Sequence, residues 1–199
     1  MVDLLAKLGL DKLERAVIYG IGIAVVLALL TGSVYFQHQW FAFFVRWLHV
    51  LCGVMWIGLL WYFNFVQIPS MPKIPDDQKP AVSKVIAPTA LFWFRWAALA
   101  TVVTGLLLAS MNMYIVQALT LQAGPSRLIG VGMWLGLLMA YNVWMIIWPN
   151  QKIALGMVEA DADTKKKAAR TAMITSRVNT MLSIPMLYFM VAAQNVSTN

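Results

Sequence analysis

Cysteine and histidine are nearly absent from this chain: one cysteine, Cys52, and two histidines, His38 and His49, in 199 residues. A single thiol excludes an internal disulfide, a CxxC metal or redox pair and the CxxCH attachment of c-type haem. Cys52 itself reads as a buried, inert thiol. Charge is scarce too. Only 12% of residues are charged, and the eight Asp+Glu are outnumbered by fifteen Lys+Arg. Every carboxylate lies in a tail or between apolar runs, so Arg46, Arg95 and Arg177, which lie in or just inside those runs, have no acidic partner there. The sequence has no phosphate-binding loop, zinc motif or serine-nucleophile elbow.

What fills the chain instead is apolar. It is 61% hydrophobic, against roughly 45–50% for a soluble domain, and its mean hydropathy is +0.72. The apolar residues fall in runs of about 20, enough for a hydrocarbon core of roughly 30 Å. This predicts an all-α integral membrane protein, a bundle of five transmembrane helices at about 16–35, 40–66, 89–110, 128–148 and 174–193. The first run lacks a convincing cleavage site after it and is expected to be retained. Residues 1–15 mix Leu4, Leu5, Leu8 and Leu13 with Lys7, Lys12 and Arg15, which predicts an interfacial amphipathic helix. Residues 194–199 are a tail.

Between the spans, Gln37-His38-Gln39 reads as a tight turn. In 67–88, Pro69, Pro72, Pro75, Pro80 and Pro88 are expected to break any helix. Residues 111–127 read as a partly helical interfacial loop that ends at Gly124-Pro125. Pro149-Asn150 reads as the stop of the fourth span. Residues 151–173, acidic early and basic late, read as a solvated helix aligned with its own dipole. Pro185 is expected to kink the fifth span.

A pI near 9.7 invites a nucleic-acid partner, but the basic residues sit beside the spans, where the positive-inside rule accounts for them. Lys7, Lys12 and Arg15, then Lys73, Lys79 and Lys84, then Lys152, Lys165, Lys166, Lys167 and Arg170 mark alternate segments. The intervening segments carry only Arg127. Five spans with a cytoplasmic N-terminus and a periplasmic C-terminus, in a bacterial inner membrane, satisfy this alternation. The partners expected are the lipid bilayer and other membrane subunits or a cytochrome, with no nucleic acid.

The second run carries the chemistry. A helix turns about 100° per residue, so Arg46, His49, Gly53, Trp56, Leu60 and Asn64 share one stripe. Polar groups in a membrane helix usually face the protein interior or a cavity. His49 is the sole histidine inside a run, Gly53 one turn away leaves room beside it, and Arg46 could meet a propionate. Together they are candidates to bind a b-type haem, with His49 as the iron ligand and a methionine, water or a second chain supplying the other axial position. The competing reading is that His49 bonds to a neighbouring helix. The assigned orientation sets a second polar layer, Asn64, Arg95, Asn142, Arg177 and Asn179, nearer the cytoplasm. These are candidates for binding an anionic substrate, or for interhelical hydrogen bonds that hold the bundle together. Gly132 and Gly136 form a helix-packing pair.

The motifs Arg46-Trp47-Leu48-His49-Val50, Trp56-Ile57-Gly58, Asn64, Phe94-Arg95-Trp96, Asn142-Val143-Trp144, Trp148-Pro149-Asn150-Gln151 and Ser176-Arg177-Val178-Asn179-Thr180, with Leu182 to Leu187 beyond them, occur in one order. In that order the chain resembles the membrane (N-terminal) domain of the bacterial urate hydroxylases, the urate oxidase N-terminal domain family, over most of residues 40–193. The resemblance implies a redox setting. Members join such a domain to a c-type cytochrome and are associated with oxidising urate to 5-hydroxyisourate. With no CxxCH in this sequence, the electron acceptor is expected on a separate cytochrome. The leading expectation is a membrane subunit of a redox complex that binds haem b. The alternatives are a urate-oxidising oxidoreductase that depends on a partner cytochrome, and a non-catalytic subunit of a respiratory or photosynthetic complex.

Overall fold

The computed structural model describes residues 9, 10 and 12–195. The expected interfacial helix over 1–15 and the tail over 194–199 fall mostly outside these. Among the described residues every regular element is helical. In chain order the elements are α1 (Leu13–Leu30), α2 (His38–Lys73), α3 (Lys79–Met111), α4 (Ile115–Leu119), α5 (Ser126–Ala154) and α6 (Ala162–Asn195). Helices α1, α2, α3 and α5 are each long and apolar enough to cross a membrane. The chain divides into two compact units, residues 1–43 and 44–199.

In the first unit, α1 carries Glu14 and Arg15 in its first turn, has no charged residue from Ala16 to Leu30, and buries none of its residues, the composition expected of a helix surrounded by lipid. It stops at Leu30, short of the expected 35. The Thr31 and Ser33 hydroxyls donate back to the Leu27 and Ala28 carbonyls, and Gly32 turns the chain with φ 65°, a left-handed conformation that costs glycine little. His38 and Gln39 already belong to α2 rather than to a turn.

In the second unit Pro75 lies in the break between α2 and α3, but Pro69, Pro72, Pro80, Pro88 and Pro149 do not act as breaks. α2 runs on through Pro69 and Pro72 to Lys73, α3 begins at Lys79 and runs through Pro80 and Pro88, and α5 passes Pro149 to reach Ala154. The expected loop over 67–88 shrinks to residues 74–78, and Pro149-Asn150 is no stop. The reason is a widened turn. π-helical segments occupy Tyr62–Gln67, Val82–Ile86 and Asn142–Ile147. Each closes on an i→i+5 bond, from the N–H of Ile68, Ala87 and Trp148 to the carbonyls of Phe63, Val82 and Val143. In each case the next residue is the proline. A proline ring in a helix clashes with the carbonyl four residues back, and the wider π turn opens that space.

Residues 162–195 form one continuous helix, so the expected solvated helix and the fifth apolar run are a single element with Pro185 inside it. Asp161 caps it, accepting from the Thr164 N–H at 2.8 Å and from its hydroxyl at 2.6 Å. These bonds hold the Asp161 carboxyl below its ordinary pKa. The face that α6 buries is small and polar: Ala168, Ala172, Ser176, Asn179 and Ser183, with Met186 and Ala192. Its exposed face is charged at the start, with Lys166, Arg170 and Arg177, and apolar beyond residue 180, with Met181, Ile184, Tyr188 and Val191 each more than half exposed. Gly132 lets α5 and α6 touch, because a Cβ there would lie 3.3 Å from the Met190 backbone nitrogen.

The core sits where α2, α3, α5 and α6 meet. Trp56, Leu60, Phe94, Met139 and Val143 are almost wholly buried there, and Phe63 packs edge-on against Phe94 with ring centres 5.6 Å apart. Burying side chains of this size contributes about 1.5–3 kcal/mol each in water. In lipid, close van der Waals packing replaces that term. Two indoles tie the helices: Trp61 donates to the Ser183 hydroxyl at 3.0 Å, and Trp144 donates to the Arg95 carbonyl at 3.2 Å.

Candidate functional site

A cavity of about 650 Å³ lies among α2, α3, α5 and α6, within the ~300–1,000 Å³ range of small-molecule and cofactor sites. Glycines make much of its wall: Gly53 and Gly58 on α2, Gly105 on α3 and Gly136 on α5. A Cβ added at Gly58 or Gly136 would meet nothing within 4 Å, and one at Gly53 would meet only the Thr101 methyl, at 4.0 Å. These three positions are hollow because the side chain is missing. Gly105 is different. A Cβ there would stand 2.9 Å from His49 Cε1, so the imidazole rests against the α3 backbone at this glycine.

His49 is half-buried and held from one side. Its Nδ1 lies 2.9 Å from the Thr101 carbonyl oxygen and 3.1 Å from the Thr104 hydroxyl oxygen. A carbonyl only accepts, and the Thr104 hydroxyl hydrogen is directed to the Ala100 carbonyl at 2.7 Å. Nδ1 therefore carries the proton, and the lone pair sits on Nε2. Nε2 makes no hydrogen bond among the described residues. This is the arrangement that presents a histidine nitrogen to a metal: one ring nitrogen donates to a carbonyl, and the other is oriented and free.

The rest of the lining is apolar with a few polar groups. Trp56 is 1% exposed, lines the cavity, and its indole N–H is a buried donor with no acceptor among the described residues. Arg46 and Tyr114 also line it. Burial pushes the Tyr114 phenol above its ordinary pKa, and the charge of Arg46 pulls the other way. Met133, Met186 and Met190 contribute thioethers. Among the described residues no group of three or more His, Cys, Asp or Glu could hold a metal ion, so a bare-metal centre has no ligand set here. One histidine and soft sulfur donors fit a cofactor that brings its own equatorial ligands.

The structure brings Arg46, His49, Gly53 and Trp56 of the predicted stripe to one cavity. Leu60 lies in the core, and Asn64 one turn farther on belongs to another layer. There, Asn64 donates to the Ser176 hydroxyl at 2.8 Å and to the Leu60 carbonyl. Asn142 donates to the Asn179 side-chain oxygen at 2.8 Å, and Asn179 donates to the Met139 carbonyl at 2.9 Å. Asn142 and Asn179 are buried and bond across α5 and α6. The two arginines lie apart from them. Arg95 stacks on Trp148, 3.8 Å from the ring centre, and approaches Phe92. Arg177 is on the exposed side of α6. A second cavity of about 280 Å³ beside this layer is lined by Gln67, Ser83, Gln151 and Ser176 among apolar groups. None of Asn64, Arg95, Asn142, Arg177 and Asn179 lines it.

Sequence reasoning missed Gly58, Gly105, Gly136, Trp61 and Tyr114 as cavity residues. Glycine inside a span was the available signal, but its periodicity does not say which glycines face space and which face a neighbour.

Compared with known proteins, residues 117–198 match the family described as urate oxidase N-terminal. This covers α5, α6 and most of α4, which together supply Met133, Gly136, Met186 and Met190 to the cavity. No curated protein matches the chain. No solved structure matches it either.

Proposed function

We propose that this chain is a five-span subunit of a bacterial cytoplasmic-membrane redox complex, that it holds a b-type haem in the large cavity through His49, and that it works with a separate cytochrome. The observation that carries this reading is the His49 imidazole, its proton committed to Thr101 and its Nε2 free beside a glycine-walled cavity. When bound, such a group supplies one-electron transfer. The chain's own residues do the holding. Thr101 and Thr104 orient the ring, Gly53, Gly58 and Gly136 leave room for a flat macrocycle, Arg46 would be available to a propionate, and Met133, Met186 and Met190 would offer thioether donors from the cavity wall.

The fifth span is the 174–193 part of α6. Over that part, Ser176, Asn179 and Ser183 turn inward while Met181, Ile184, Tyr188 and Val191 turn outward, the reverse of a water-soluble helix. With five spans, the basic segments share the cytoplasmic side and the C-terminus lies outside. A reporter active only in the periplasm, fused after Asn199, is expected to be active; an inactive one removes a span. The family match over 117–198 also supports a urate-oxidising complex, with this chain as its membrane component. Of the residues expected to meet an anionic substrate, Asn142 and Asn179 are bonded to one another, Arg95 is stacked on Trp148, and none of Asn64, Arg95, Asn142, Arg177 and Asn179 lines either cavity, so this second reading assigns them no urate contact.

The test of the haem reading is the visible spectrum of the protein isolated intact with its partners. A Soret band is expected, lost in His49→Ala and kept in His38→Ala. A colourless preparation would overturn the reading.

A further inference from the structure

Arg95 and Lys152 come from different helices and meet over one ring. The Arg95 guanidinium carbon is 3.8 Å from the centre of the Trp148 ring, and the Lys152 ammonium nitrogen is 5.7 Å from the same centre. Their charges therefore lie no farther apart than about one Debye length, roughly 10 Å at 0.1 M salt. No carboxylate neutralises them: among the described residues the ion pair Lys79–Asp76 stands alone. Two cations gathered by one indole repel each other unless an anion joins them.

The setting identifies the anion. Trp148 is one turn before Lys152, near the end of α5. Arg95 lies within α3 and reaches along the bundle to that indole, as a long cationic side chain does when it carries its charge from the apolar core to the headgroup level. The same end carries Lys73 at the end of α2 and Lys79 and Lys84 at the start of α3. Beside the pair, Phe92, Trp93 and Trp96 are each about half exposed, and aromatic rings of this kind sit at membrane–water interfaces. An anion that arrives with acyl chains would satisfy both features, its phosphate between the cations and its chains along the rings. A guanidinium binds phosphate through paired N–H groups, and an ammonium adds a point charge.

We propose that Arg95, Trp148 and Lys152 form a binding site for the phosphodiester of an anionic phospholipid in the leaflet at the basic end of the bundle. The site is separate from the His49 cavity and does not depend on the occupant of that cavity.

The full chain in detergent, titrated with phosphatidylglycerol or with phosphatidylcholine of the same acyl chains and read by native mass spectrometry, tests this. Retention should favour phosphatidylglycerol, with each cation contributing about fivefold. Arg95→Gln with Lys152→Gln should bring the two lipids to parity, while Lys166→Gln with Lys167→Gln should leave the preference intact. Should the double variant misfold, Lys152→Gln alone should still lose about fivefold. Equal retention of both lipids by the parent, or an undiminished preference without the two cations, would overturn the proposal. So would displacement of the lipid by millimolar inorganic phosphate, which would mark a free-anion site.

Discussion

The two polar layers of the second unit are built from similar residues and differ in how their donors are satisfied; each keeps buried atoms without a partner among the described residues, Asn64 Oδ1 and Gln67 Oε1 in one and the Trp56 N–H in the other. In the layer around Asn142 and Asn179, side-chain donors are directed at acceptors on the neighbouring helix: Asn142 to Asn179, Asn179 to Met139, Asn64 to Ser176. In the cavity layer, His49 bonds on one edge only, the Trp56 N–H has no acceptor, and three glycines face space. A polar group bonded to its neighbour helps hold helices together. A polar group held on one side and free on the other, beside a void, is available to something that is not protein. The comparison distinguishes the mutually bonded Asn142–Asn179 pair from the cavity residues, while Asn64, bonded through its amide N–H and unpartnered at Oδ1, falls between them.

The largest effect on stability is expected in the bonded layer. Asn179→Ala removes two hydrogen bonds and leaves the buried Asn142 side-chain amide without its acceptor, while the Met139 carbonyl keeps its backbone donor. A loss of about 1–3 kcal/mol follows, measurable by unfolding in mixed micelles, with the cavity ligand retained until the protein unfolds. Little change in stability together with loss of the ligand would reverse the roles assigned to the two layers. A smaller effect is expected at the cavity wall, and it should differ between glycines. Gly105→Ala presses a methyl against His49 and should cost about 1–2 kcal/mol while shifting any spectrum that reports on the imidazole. Gly136→Ala meets no atom and should leave stability unchanged or raise it by up to about 1 kcal/mol, since alanine favours helix. Equal behaviour of the two variants would mean that the cavity wall is not shaped as described.

Part of this was legible in the sequence. The all-helical membrane class follows from run length and hydropathy, and the stripe from Arg46 to Trp56 follows from helical periodicity. The prolines misled because a proline inside a helix is read as a break unless a widened turn accommodates it. The π segments before Pro69, Pro88 and Pro149 leave no composition signal. The stretch from Ala162 through Lys167 looked separate from 174–193 because its charge differs, yet backbone continuity depends on helix propensity, which both stretches share. Nor does sequence distinguish Gly105, against a histidine, from Gly136, against nothing. That difference is set by how α3 and α5 cross α2.

The central claim is that His49 Nε2 is a ligand for iron and not a spare lone pair. Imidazole rescue tests it most directly. His49→Gly should abolish the Soret and visible bands of the protein isolated with its partners, and millimolar imidazole, entering the space the side chain leaves, should restore them with the parent's positions. Bands unchanged in His49→Gly without imidazole would contradict the account, because the iron would then be held elsewhere.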